Sequence, residues 1–143
     1  MLIQHSVIIK KPLETVEAYL TDISNNHIWQ EDVLESGMLT NGATGNGTKA
    51  YEIRNIMNFS VRTEWEVTDY KPGRSFSFTS TSSVAPYDGT FDLEKAENST
   101  KVTFTFSIRN SGINALFDPF MKSIFAPRFC SNLERLADIL ENS

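Results

Sequence analysis

Between residues 60 and 109 the chain alternates apolar and polar side chains, segment after segment, with only short polar turns between them. A period of two marks an extended strand with one buried face, and no helix satisfies it. Residues 60–70 show it most clearly: Val61, Thr63, Trp65 and Val67 fall on one face, and Arg62, Glu64, Glu66 and Thr68 on the other. Lys71-Pro72-Gly73 turns the chain. Phe76 and Phe78 then alternate with Ser and Thr until Ala85-Pro86. Tyr87, Gly89, Phe91 and Leu93 form the next apolar face. After Glu97-Asn98-Ser99, so do Val102, Phe104, Phe106 and Ile108. Connections this short force consecutive strands to be antiparallel, and one apolar face per strand requires a cover from elsewhere in the chain.

The cover is residues 112–141. Ile113, Leu116, Phe117, Phe120, Met121, Ile124, Phe125, Phe129, Leu133, Leu136, Ala137 and Leu140 recur at helical spacing. Pro119 and Pro127 interrupt the pattern, and Pro127 is expected to kink or restart the helix. Upstream, residues 2–10 read as a strand and 12–21 as a short helix with Leu13, Val16 and Leu20 on one face. Asp22 is placed to cap a second short helix running towards Trp29. Residues 33–40 and 48–57 complete the strands, separated by the glycine-rich turn at 41–47, with a tight reversal expected at Asn58-Phe59. The expected order is strand, two short helices, six strands and a long helix, in a single domain over residues 1–143. Strands of 10–12 residues reach about 35–40 Å, enough to curl around that helix.

Several function classes are excluded early. A net charge of −5 with scattered cations argues against nucleic acid as a partner. No stretch approaches the ~20 apolar residues of a membrane span. Met1-Leu2-Ile3-Gln4-His5-Ser6 lacks the charged, then apolar, start of a secretory signal, so a cytoplasmic location is expected. Cys130 is the sole cysteine, and the two histidines, His5 and His27, fall on different elements, so no metal site and no cofactor are expected. The glycine-rich loop joins two strands and opens no helix, which removes the dipole that phosphate binding would use.

The order of segments resembles the START-like superfamily, in particular the polyketide cyclase/dehydrase and lipid-transport proteins with a helix-grip fold. The resemblance runs nearly the whole chain. It rests on Val7-Ile8-Ile9-Lys10-Lys11-Pro12-Leu13-Glu14-Thr15-Val16 leading to Leu20-Thr21-Asp22, on Trp29, and on Gly45-Asn46-Gly47-Thr48. It continues in Trp65-Glu66-Val67-Thr68-Asp69-Tyr70-Lys71-Pro72-Gly73-Arg74 and in Ser99-Thr100-Lys101-Val102-Thr103-Phe104. It implies an α+β fold: a seven-stranded curved antiparallel sheet wrapped around a long C-terminal helix, with two short helices between strands 1 and 2. It also implies a cavity between sheet and helix that accepts an apolar molecule. The superfamily's oxygenase subunits need an iron site of two His and a carboxylate, for which His5 and His27 are badly placed.

The residues expected to line that cavity are Tyr51, Trp65, Phe76, Phe78, Tyr87, Phe91, Phe104 and Phe106 from the sheet. Phe117, Phe120, Met121, Ile124 and Phe129 are expected to face them from the helix. Thr63, Ser80 and Gly89 are small positions of the same parity, which would leave the core partly hollow. His5, Tyr51 and Tyr87 are the candidates for polar, acid or base groups inside it. Glu64, Glu66, Glu52 and Arg54 read as solvated charges, the last two as a surface ion pair. The functional expectation is a carrier or sensor of a small hydrophobic or aromatic molecule. The alternative is a cyclase or aromatase of polyketide type working in the same cavity. A third class, a chaperone-activating module, would need an exposed docking face that the alternation does not show.

Overall fold

The alternation becomes seven strands: β1 (Leu2–Ile9), β2 (Val33–Met38), β3 (Lys49–Ile56), β4 (Phe59–Lys71), β5 (Ser75–Ser82), β6 (Tyr87–Ala96) and β7 (Ser99–Ile108). They form one curved antiparallel sheet in the order β1-β7-β6-β5-β4-β3-β2. The structure is a computed structural model describing residues 1–83, 85–109 and 118–143. Strands β2 to β7 are a meander, each pairing with its sequence neighbour, and β1 closes the far edge against β7. The chain crosses from one edge to the other through α1 (Leu13–Thr21), a 3₁₀ turn (Ile23–Asn25) and α2 (Asn26–Trp29). The 3₁₀ turn starts where Asp22 Oδ1 accepts from the Ser24 amide and hydroxyl, the cap that the aspartate's position implies.

The long helix α3 (Asp118–Glu141) covers the concave face. Leu133, Leu136, Ala137 and Leu140 are buried in the core with Val16, Val102 and Ile9, so its C-terminal half is packed in the ordinary way. Two expectations change here. Pro127 lies inside α3 and is exposed, and the helix runs through it without restarting. Pro119 occupies the first turn, where its missing amide hydrogen has no partner to lose. The expected helical residues 112–117 lie outside the described residues.

The β3–β4 hairpin has its two-residue turn at Met57-Asn58, both with positive φ (51° and 70°), one residue earlier than expected. Both turn positions therefore take the left-handed conformation that right-twisted strands require, which asparagine tolerates well. Phe59 becomes the first residue of β4 and is exposed. Gly89 is needed for another reason. It sits opposite Phe78, whose ring lies over it, and a Cβ there would come within 2.3 Å of the ring. The space at Gly89 is thus filled by Phe78 and is not open volume.

Candidate functional site

The packed half of the core gives way to a cavity of about 310 Å³ under the N-terminal half of α3. Its size is at the lower end of ordinary small-molecule sites, which run from ~300 to 1,000 Å³. The floor and walls are the inward faces of β4 to β7. Trp65, Phe76, Phe78, Tyr87, Phe91, Phe104 and Phe106 all line it, as their parity implies. The aromatic wall is continuous: Phe91 stacks on Phe104 at 4.2 Å, Tyr87 on Phe106 at 5.3 Å, and Trp65 meets Phe78 at 5.0 Å between ring centroids. Such offset and tilted pairs stabilise one another beyond their buried area.

From α3, Met121, Phe125 and Phe129 reach the cavity, and Phe129 packs on Phe104 and Phe106 at 5.1 and 5.0 Å. These three are spaced by four residues and so share one face. Phe120 and Ile124 are corrections. Phe120 lies about 100° back from Met121 around the helix and Ile124 about 60° back. Accordingly Phe120 is 61% exposed, and Ile124 is half-buried away from the cavity. Phe117 lies outside the described residues.

Tyr51 is the third correction. Its neighbours Ala50 and Glu52 are buried on the concave face, so the pleat turns Tyr51 to the convex one. There its hydroxyl donates to Glu35 Oε2 at 2.8 Å, and the Arg62 guanidinium lies over its ring at 4.6 Å. The hydrogen bond to the Glu35 carboxylate, more than burial, pushes its pKa up. His5 is half-buried on β1 and is not among the residues lining the cavity.

In Tyr51's place the inward positions of β3 carry charge. Glu52 is 3% exposed and, with Arg54, lines the cavity; the reading of both as solvated charges is overturned. Arg54 is the hub of a network. Its Nε donates to Glu52 Oε2 at 3.0 Å, its Nη1 to Asp32 Oδ2 at 2.7 Å, and its Nη2 to Gln30 Oε1 at 2.7 Å. The Nη2 atom also lies 2.9 Å from Glu52 Oε2. Asn26 Nδ2 donates to Glu52 Oε1 at 2.9 Å, and Asn132 Nδ2 of α3 donates to Asp32 Oδ1 at 3.2 Å. The network thus ties α2, the turn before β2, β3 and α3 together at one end of the cavity.

Electrostatics follows from this geometry. Burial alone would raise the Asp32 pKa, but the Arg54 charge and the hydrogen bonds from Asn132 and Arg54 outweigh it and hold the carboxyl below its ordinary value. Burial likewise works to lower the Arg54 pKa, but the Glu52 and Asp32 carboxylates beside it outweigh this and raise it, so the guanidinium stays cationic. Next to this network the Tyr87 hydroxyl shares a hydrogen bond of 2.7 Å with Thr63 Oγ1. Burial pushes the Tyr87 pKa up to about 12, so the phenol stays protonated at neutral pH. The site therefore has a fixed polar end and an apolar body. Among the described residues no three His, Cys, Asp or Glu side chains gather as metal ligands, and no helix is long and apolar enough to cross a membrane.

Solved structures share this architecture. One from Thermus thermophilus aligns with a TM-score of 0.80 at 18% identity, over 98% of this chain and 97% of that one. The Zhui aromatase/cyclase from Streptomyces sp. R1128 aligns with a TM-score of 0.79 at 11% identity, over 99% and 94%. A START superfamily protein from Mycobacterium smegmatis gives 0.72 at 12% identity, over 99% and 94%. At these identities the likeness is one of fold. No curated protein matches the chain in sequence. The family model for polyketide cyclase/dehydrase and lipid transport matches residues 2–141, so the chain belongs to that family, and its helix-grip fold is the one shared with the START superfamily structure.

Proposed function

We propose that this chain binds a small hydrophobic or aromatic molecule between its sheet and α3, as a carrier or sensor. The observation that carries the reading is a cavity walled mostly by aromatic and aliphatic side chains, closed at one end by an ordered polar network. A ligand there would gain about 25 cal/mol for each Å² of apolar surface removed from water. The polar end would fix which way round it lies. The family and the fold support an apolar ligand. The lone thiol of Cys130, which can form no intrachain disulfide, fits a cytoplasmic setting.

The test is a thermal-shift screen of fatty acids, flavonoids and polycyclic aromatics against the wild type and two cavity-filled variants, Val61→Phe and Ile108→Phe. Both positions line the cavity. At a hundredfold excess over Kd, a true cavity ligand stabilises the wild type by ~2.7 kcal/mol and the filled variants by much less. Equal stabilisation of all three would place binding elsewhere.

A second reading, a cyclase or aromatase, draws on the Zhui neighbour and on Tyr87. Of the three acid–base candidates, Tyr87 alone lines the cavity, and its protonated phenol could donate to a ligand carbonyl. Turnover of a polyketone that disappears in Tyr87→Phe would favour this reading over simple carriage.

A further inference from the structure

The charged end of the cavity has an imbalance that bears on what the ligand carries. Among the described lining residues only Asp32, Glu52 and Arg54 are charged, two carboxylates against one guanidinium. The donors of that guanidinium are largely taken. Nε donates to Glu52, Nη1 to Asp32 and Nη2 to Gln30, and Nη2 also lies in ion-pair contact with Glu52. A guanidinium has five N–H groups, so three are committed and two are left over.

The acceptors are in surplus. A carboxylate offers about four lone-pair sites. Glu52 Oε1 receives one hydrogen bond, from Asn26, and retains a site. The Asp32 carboxylate receives bonds from Asn132, Arg54 and a backbone amide, three for its roughly four sites. The partners of Glu52 are all donors, and its side chain is 5% exposed, where water cannot fully screen a charge.

We infer that the ligand is an apolar molecule bearing a protonated amine, and that the site discriminates against carboxylic acids; this deepens the ligand-binding reading above and rests on it. An ammonium group at the polar end brings three donors to the spare carboxylate sites and cancels the excess negative charge. A ligand carboxylate meets an Arg54 that is already paired twice, and it would have to displace Glu52 or Asp32 or lie beside them as a third like charge. The remaining polar groups there, the amides of Asn26 and Gln30 and the hydroxyls of Thr63 and Tyr87, are neutral and cannot offset it.

The experiment compares three probes of one shape by calorimetric titration at pH 7 and 150 mM salt: 2-naphthylmethylamine, 2-naphthalenemethanol and 2-naphthoate. The wild type should bind the amine at least tenfold more tightly than the alcohol, and the acid at least tenfold more weakly. The amine preference should fall to below threefold in Glu52→Gln and, should that variant not fold, in Asp32→Asn. It should vanish with binding itself in Val61→Phe, which separates cavity binding from loose association of an amine with an acidic protein. If the alcohol binds and the acid equals or exceeds the amine, the charge inference is overturned while the cavity remains a ligand site. If an amine preference survives unchanged in both acidic variants, the inference is likewise overturned. If none of the three probes binds the wild type at millimolar concentration, the ligand-binding reading falls and takes the charge inference with it.

Discussion

The two ends of the cavity are built on opposite rules. Along β5, β6 and β7 the apolar residues face inward and the polar ones outward. Along β3 the order is inverted: Glu52 and Arg54 face the cavity, and Tyr51 faces the convex side. The first region is held by ring-on-ring packing, which is non-directional and tolerant of approximate fit. The second is held by directional hydrogen bonds among desolvated charges, which are costly to leave half-made. An apolar wall gives a pocket its affinity, and a fixed charged end gives it orientation and choice.

That contrast can be broken most forcefully at the hub. Arg54→Ala should destabilise the fold by about 3 kcal/mol, because it leaves the buried Glu52 and the partly buried Asp32 without their shared cation. Replacing all three together, as Asp32→Leu, Glu52→Leu and Arg54→Met, should cost far less and could even stabilise, since apolar groups of similar volume need no partners. Urea denaturation of both variants measures this. A triple variant as unstable as Arg54→Ala would mean that packing, not charge, sets the cost.

On the apolar side, Phe104→Ala should cost about 3 kcal/mol, near the low end for a buried phenylalanine. Phe104 already has one side open to the cavity, so truncation enlarges an existing space instead of opening a new one. Gly89→Ala should cost about 1–2 kcal/mol in stability but much more in binding. The new methyl group meets the far end of the Phe78 ring, and that ring lines the cavity, so its displacement reshapes the site. Calorimetry on Gly89→Ala and on Gly89→Ala with Phe78→Leu checks this: the second change should restore binding.

The polar end also has a pH signature. Asp32 has a folded-state pKa below its ordinary 3.8, so it contributes stability above about that pH, and the contribution is lost as pH falls through the depressed value. Asp32→Asn should therefore be less stable than the wild type at pH 7 and lose less on acidification to pH 2.5, as followed by circular dichroism. Parallel acid limbs would contradict the ion pair. The smallest effect is expected for Tyr87→Phe, about 1 kcal/mol, because Thr63 retains the Ser82 carbonyl oxygen as a partner after losing the phenol.

The two ends were not equally legible in the sequence. Alternation alone assigned Trp65, Phe78, Tyr87, Phe91 and Phe104 to the concave face, because an apolar residue at period two has one sensible place to go. The same rule misassigned β3, where the side chains that read as solvent-facing, Glu52 and Arg54, line the cavity. The missing signal was register. A two-residue turn at either Met57-Asn58 or Asn58-Phe59 pairs even-numbered residues of β3 with odd-numbered residues of β4. With the turn at Met57-Asn58, Ala50 lies opposite Trp65 and Glu52 opposite Thr63. Pairing thus placed Glu52 and Arg54 on the face of Trp65 whatever their charge. Asp32 and Gln30 were not legible, since they lie just outside regular elements and reach Arg54 only through the packing of α2 against the sheet edge. On α3 the apolar residues outnumber the places on the inner face, and Phe120 and Ile124 were assigned by hydrophobicity when phase relative to Met121 was the better guide.

Whether the space between the sheet and α3 is where a ligand sits is tested most directly by methyl chemical-shift mapping. The wild type is titrated with the neutral probe 2-naphthalenemethanol. Saturable shifts are expected at Ile56, Val61, Ile108 and Met121, which line the cavity, and none at Leu2 and Ile8, which are exposed on β1. Shifts confined to surface methyl groups, with those four unmoved at saturation, would contradict a ligand site in the cavity.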